Sequence, residues 1–213
     1  MEEMKTVPFY SNTKDDTHCV QAVFRMALKH FLPTREYSWK ELDRMTQKET
    51  GKGTWWFPAV PALKNEGLAI AYIESFDYAH YYRQGESYLN KFYGPEIAEW
   101  FLQNSNLLHV KNLIPSFLDS CSSEVRAASL NDIDKLLKVG WLVGVEINTR
   151  VLQNRSGFNG HMVLVIGRQE SSYLIHDPGL PAYKAREISV HDFVRSWAYT
   201  GAEKTSLIGF NKA

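Results

Sequence analysis

The feature that most constrains the fold is a pair of short apolar segments near the C-terminal end of the chain, at His161–Gly167 and Tyr173–His176. Few residues separate them, and the intervening residues are mostly polar. Two such segments joined by a short polar turn are typical of a β-hairpin. They predict antiparallel pairing, and therefore a sheet in the C-terminal half of the chain.

The expected register of this hairpin places two chemically active side chains side by side. A three-residue loop at Arg168–Glu170 sets Val165 opposite Tyr173, and by the same count His161 opposite Asp177. Directly opposed residues share one face of the sheet, with Cβ atoms about 4.5–5.5 Å apart. An aspartate in that position can accept the Nδ1 proton of the histidine and orient its ring. The alternative is an incidental polar pair at the end of a sheet.

The order of the predicted elements indicates an α+β fold in which helices come first and a mainly antiparallel sheet follows. Apolar spacing and capping residues predict helices over about 17–32, 38–47, 58–66, 95–103, 129–140 and 189–197, and strands over 68–73, 141–147, 161–167, 173–176 and 206–210. We expect a single domain over residues 1–213. The aromatic stretch 76–128 is interpreted as a mostly helical insertion in it.

Charge and hydropathy argue against two classes of partner. The chain has 24 basic and 24 acidic residues, a formal net charge of +0, so it lacks the basic footprint of a nucleic-acid-binding protein. No run of 18 apolar residues predicts a transmembrane helix, and residues 1–5 do not begin a signal peptide. We therefore expect a cytoplasmic protein without membrane or nucleic-acid partners; its oligomeric state is not predicted.

Cys19 lies where a helix would favour its reactive form. Free N–H groups and the helix dipole stabilise negative charge in the first turn, and the thiolate is the nucleophilic form of cysteine. Capping oxygens are expected from residues 15–17. The alternative role is that of a small buried residue at a helix start. A metal site made of Cys19, His161 and Asp177 is chemically possible, but no short ligand spacing supports it, so no metal and no cofactor are expected.

Several motifs together resemble a known family. Residues 7–12 (Val-Pro-Phe-Tyr-Ser-Asn) followed by residues 19–22 (Cys-Val-Gln-Ala) are similar to the start of the bacteriocin-leader-processing peptidases, the C39-like branch of the papain-like cysteine peptidases. Residues 160–167 (Gly-His-Met-Val-Leu-Val-Ile-Gly) and 176–179 (His-Asp-Pro-Gly) resemble the second and third signatures of that family. The resemblance covers about residues 7–35 and 128–200.

This resemblance implies a papain-like fold, with the nucleophile on an N-terminal helix and an antiparallel sheet near the C-terminus. Cys19 would be the nucleophile, His161 the general base and acid, and Asp177 the group that orients His161. The family usually has Gln where Asn12 stands, and often Gly where Val20 stands. Asn12 could therefore donate to the oxyanion, or it could stabilise a turn through its own backbone.

The implied function is a cysteine peptidase or amidase that hydrolyses a peptide-like amide bond in a peptide or protein substrate. The same triad could instead transfer the acyl or peptidyl group to an amine or thiol. A third hypothesis is a catalytically inactive binding module of the same fold, against which the presence of Cys19, His161 and Asp177 argues.

Overall fold

The computed structural model describes residues 6–121 and 123–213 of the chain. Residues 1–5, which bear on the expected absence of a signal peptide, lie outside the described residues. The helices are α1 Cys19–Phe31, α2 Trp39–Thr46, α3 Val60–Asn65, α4 Tyr78–Gln84, α5 Glu86–Tyr93, α6 Pro95–Asn104, α7 Leu107–Val110, α8 Ile114–Ser120, α9 Leu130–Lys138, α10 Thr149–Leu152 and α11 Val190–Trp197. Short 3-10 turns lie at Phe57–Ala59, Lys111–Leu113 and Ala202–Lys204.

One sheet organises the molecule. Its strands are β1 Leu68–Glu74, β2 Ser123–Glu124, β3 Leu142–Asn148, β4 Gly160–Arg168, β5 Ser172–Asp177, β6 Tyr183–Ser189 and β7 Ser206–Lys212. Their order across the sheet is β2-β1-β7-β3-β4-β5-β6, and only the β1–β2 pair is parallel. The predicted α+β architecture, with N-terminal helices and a mainly antiparallel sheet, is therefore what the chain adopts.

The central strands are apolar on both faces because each face of the sheet is covered by a core. Alternate residues of a strand point to opposite faces. Met162 and Leu164 of β4 pack in a core with α1, while Val163 and Val165 pack in a second core that includes residues of α9 and α11. Burial on both faces explains why β3 and β4 have nearly continuous apolar sequences.

Most of the elements predicted from periodicity are present, and those that were missed lie in polar or aromatic segments. Capping boxes start α2 at Ser38 and α9 at Ser129. Segment 76–128 contains α4 to α8 as well as β2, which extends the sheet; its status as an insertion stays a prediction. Strand β6 and helix α10 were not predicted. Within residues 6–121 and 123–213, no helix combines the length and apolar character needed to cross a membrane.

The hairpin formed by β4 and β5 has a different register from the predicted one. Val165 lies opposite Ile175, not opposite Tyr173. The turn is tighter than expected, because the Gln169 N–H donates to the Ser172 carbonyl at 2.8 Å, and a β-bulge follows Val165. The net shift is two residues. Since side chains alternate with a period of two, such a shift leaves His161 and Asp177 on a common face.

Candidate active site

The start of α1 holds Cys19 as its first helical residue. Val20, Val23, Phe24 and Ala27 bury the inner face of this helix, while Cys19 at its end stays partly accessible. The predicted capping by residues 15–17 is wrong, because no side chain caps the helix at His18. Asn12 Oδ1 instead accepts from the His18 N–H at 2.7 Å, one residue before the helix. In the described chain the Cys19 N–H has no acceptor, so it remains available to a ligand.

His161 connects the thiol to a carboxylate. Its ring lies beside Cys19, and both side chains line one cavity, while its Nε2 donates to Asp177 Oδ1 at 2.8 Å. Because Nε2 is engaged by the carboxylate, Nδ1 is the nitrogen left for the thiol. The sequence predicts that the aspartate binds Nδ1, but in the structure it is Nε2 that faces the carboxylate. Both His161 and Asp177 are buried, at 7% and 5% exposure, so this contact is shielded from water.

Two further residues hold Asp177 in place, and sequence reasoning missed both. The Gly179 N–H donates to Asp177 Oδ1 at 3.1 Å, and Arg186 Nη1 donates to Asp177 Oδ2 at 3.0 Å. A Cβ on Gly179 would lie only 3.2 Å from Nε2 of His161, so the glycine allows the chain to pass close over the pair. Arg186 lies on β6, a strand that was not predicted because its polar sequence lacks the apolar alternation typical of a strand.

The electrostatics of the site favour charged forms of the histidine and the aspartate. Burial by itself would lower the pKa of His161, but the hydrogen bonds and charges of Asp177 and Cys19 outweigh burial and raise that pKa to about 10. Burial would raise the pKa of Asp177, yet the hydrogen bond and charge of His161, the Gly179 N–H and the charge of Arg186 hold it below the ordinary value. At neutral pH, His161 is an imidazolium and Asp177 a carboxylate.

Asn12 lies close to this site but is engaged in a turn. Its Oδ1 accepts from the N–H groups of Thr13 and His18, and its Nδ2 donates to Asp16 Oδ1 at 2.7 Å. Its own N–H donates to the Pro178 carbonyl at 2.7 Å, which joins the loop before α1 to the loop after β5. A role at the oxyanion stays a prediction, and it would use the second N–H of Nδ2, since the first donates to Asp16.

These contacts predict that Asn12→Ala lowers stability more than it lowers turnover. The substitution removes the acceptor of the half-buried His18 N–H and a donor to the exposed Asp16 carboxylate, a loss of roughly 0.5–1.5 kcal/mol per hydrogen bond. For a domain of this size we expect the melting temperature to fall by about 2–4 °C per kcal/mol. Thermal melting and turnover per folded molecule measure the two effects. A loss of about 10²–10³ in kcat without a change in melting temperature would instead identify Asn12 as an oxyanion donor.

A cavity of about 60 Å³ adjoins Cys19 and His161 on the α1 face of the sheet. Two acidic residues line it, Glu74 at the end of β1 and Glu146 in β3. Neither was predicted to be a site residue, although Glu146 falls within a predicted buried strand, where an acidic residue is itself a signal. Burial raises the pKa of Glu74 to about 8 and the pKa of Glu146 to about 7, although hydrogen bonds from tyrosine hydroxyls oppose the shift.

Comparison with known proteins gives information about the fold. No family model matches the chain, and no curated protein matches it. Among solved structures, a protein from Bacillus anthracis assigned to the C39-like peptidases superimposes with a TM-score of 0.55 at 13% sequence identity. The superposition covers 99% of this chain and 96% of the other. Together with the order of helices and strands, it shows that this chain has an α+β fold of the papain-like type.

Proposed function

We propose that this protein is a cysteine peptidase or amidase that cleaves a peptide-like amide bond with Cys19, His161 and Asp177. One observation carries the proposal. A cysteine at a helix N-terminus lies beside a buried histidine, and Nε2 of that histidine donates to a buried carboxylate. A nucleophile, a base within hydrogen-bond reach and a third group that orients the base form the arrangement that nucleophilic catalysis requires.

In the proposed reaction the Cys19 thiolate attacks the substrate carbonyl carbon, and the electron pair of the C=O bond moves to oxygen. The N–H of Cys19 donates to that oxyanion. Collapse of the tetrahedral intermediate breaks the C–N bond, and the leaving amine takes the proton of His161. A thioester remains. Neutral His161 then removes a proton from water, which attacks the thioester and releases a carboxylic acid and the thiolate.

Asp177 supports the charge changes on His161 during this cycle. The imidazole carries a proton before the first step, loses it to the amine and regains one from water. A buried imidazolium is costly unless an anion is near it. Asp177 supplies that anion, and Arg186 and Gly179 keep its carboxylate in one orientation. An inactive binding module has no need of this set of contacts.

The reactivity of the two cysteines tests the proposal. We expect iodoacetamide to label Cys19 at about pH 6.5 faster than Cys121, because the helix N-terminus and the imidazolium of His161 both favour a thiolate at residue 19. Cys121 is buried, and burial raises the pKa of its thiol. Mass spectrometry of the folded protein at timed intervals measures both rates. Faster labelling of Cys121 would refute the assignment of the nucleophile.

A peptide that carries a thiol-directed electrophile then tests whether Cys19 acts on peptide substrates. A peptide acyloxymethyl ketone should modify Cys19 and abolish turnover of a peptide library, and Cys19→Ala should be unmodified and inactive. Adding a primary amine during turnover separates hydrolysis from acyl transfer, since intact-mass analysis distinguishes an acid product from an amide product. An active Cys19→Ala variant would contradict the mechanism.

A further inference from the structure

We propose that the cavity beside Cys19 binds a positively charged group of the substrate, such as the side chain of lysine or arginine near the scissile bond. The inference rests on the proposed function and adds to it a class of substrate. Three observations support it: the two carboxyl groups that line the cavity, the absence of a lysine or arginine paired with them among the described residues, and the aromatic character of the walls.

The carboxyl groups lie in the cavity because of the strand pattern. Glu74 and Glu146 lie on the α1 face of the sheet. Glu74 follows Tyr72 by two residues and Glu146 follows Gly144 by two residues, and both of those earlier residues lie on that face. Gly160 leaves the space that Glu146 occupies, since a Cβ at residue 160 would collide with the Glu146 carboxyl. The two carboxyl groups are near enough to influence each other electrostatically.

Hydrogen bonding leaves part of this acidic pair available to a ligand. Glu74 is buried, and Oε2 accepts from the hydroxyls of Tyr72 at 2.9 Å and Tyr78 at 2.8 Å. No hydrogen bond to Glu74 Oε1 is found across residues 6–121 and 123–213. The Tyr199 hydroxyl lies near enough to Glu146 to oppose the rise in its pKa. Neither glutamate forms a salt bridge with a lysine or arginine of the described chain, although buried carboxylates are usually paired.

The walls and the size of the cavity fit a cationic side chain. Trp55, Trp56, Trp100 and Phe101 line it, and the face of an aromatic ring attracts a cation most strongly away from water. One water-sized sphere needs about 10–15 Å³, so a cavity of about 60 Å³ has room for roughly four to six such spheres. The side chain of lysine has five non-hydrogen atoms. Burial favours the neutral form of the two carboxyl groups, and a bound ammonium would favour their ionised form. The rings would enclose the methylene groups of the lysine.

The test compares peptide acyloxymethyl ketones that carry lysine or norleucine at one position at a time. Norleucine has nearly the same length and lacks the charge. At one position we expect Cys19 to react roughly 10- to 100-fold faster with the lysine probe, the range expected for hydrogen bonds to a charged group. Mass spectrometry confirms that Cys19 is the residue modified. Equal or slower reaction of the lysine probe at every position would overturn the inference.

Isosteric variants assign the preference to the cavity. Glu146→Gln and Glu74→Gln remove one ionisable oxygen each and should each reduce the lysine-to-norleucine rate ratio several-fold. Glu203→Gln, the same change at a carboxyl group that is 71% exposed, should leave the ratio unchanged. If one of the two cavity variants fails to fold, the rate ratios of the other variant and of the wild type still test the inference. A ratio that both folded variants retain would mean that the two acids serve only the fold.

This design separates the two proposals. Labelling of Cys19 by peptide probes without a preference for lysine would overturn the cationic cavity and leave the proposed reaction intact. A failure of every peptide probe to modify Cys19, under conditions where iodoacetamide does modify it, would instead overturn the proposed function.

Discussion

Replacing His161 with alanine is expected to abolish turnover and to slow the alkylation of Cys19 by roughly 10- to 100-fold at about pH 6.5. The reason is the loss of the imidazolium that the structure places against the thiol. An ordinary thiol, with a pKa near 8.5, is only about 1% ionised at that pH. The loss of turnover should be at least about 10⁴-fold, since no general acid would protonate the leaving amine. Timed labelling with iodoacetamide and a peptide-turnover assay give the two values.

His80 provides a matched control for this variant. It forms a pair with Asp77 at 2.6 Å, as His161 does with Asp177, but its side chain is 49% exposed and it does not line the cavity beside Cys19. His80→Ala should therefore alkylate and turn over substrate like the wild type. Because His161 is buried, His161→Asn should be compared as a variant that leaves a smaller gap. Equal alkylation rates in wild type and in both folded His161 variants would show that no ion pair forms.

The second large effect is expected from Asp177→Asn, which should reduce turnover by roughly 10²–10⁴-fold with the fold intact. An asparagine can still accept from Nε2 of His161, but its amide group would then face Arg186, which is itself a donor. The negative charge that helps to raise the pKa of His161 is also lost. The pKa of His161 should therefore fall toward its ordinary value, and the acid limb of the alkylation profile should move to higher pH.

The pH profile distinguishes this role from a merely structural one. A variant that is only less stable would melt earlier but would alkylate along the wild-type profile while folded. Asp77→Asn is the control, because it makes the same chemical change in the exposed pair with His80. An Asp177→Asn protein with an unchanged alkylation profile and turnover would remove Asp177 from the catalytic set.

Local sequence was sufficient to predict the elements with a clear period and to identify the residues at their ends. The capping boxes at Ser38 and Ser129 and the position of Cys19 at the start of α1 depend on residues within one or two helical turns. Such features are decided by backbone hydrogen bonding and side-chain spacing over a few residues, so a single sequence reveals them.

The β4–β5 hairpin shows how a wrong strand register can still predict the correct pair of side chains, His161 and Asp177. Counting residues across the turn cannot detect the β-bulge after Val165 or the tight turn before Ser172. Two side chains stay on the same face of the sheet when the register shifts by an even number of residues. The bulge and the turn together shifted the register by two. His161 and Asp177 therefore form the predicted pair, although the hydrogen bond uses Nε2 of the histidine and not Nδ1.

The surroundings of the site were decided by tertiary structure. Glu74 and Glu146 lie 72 residues apart in the chain, and they face one cavity because β7 pairs with both β1 and β3. Arg186 reaches Asp177 because β6 pairs with β5. The sequence by itself determined a cysteine at a helix start and a histidine and aspartate on one face. What those groups contact depended on long-range strand order, which follows from burying both faces of the sheet at once and leaves no local pattern.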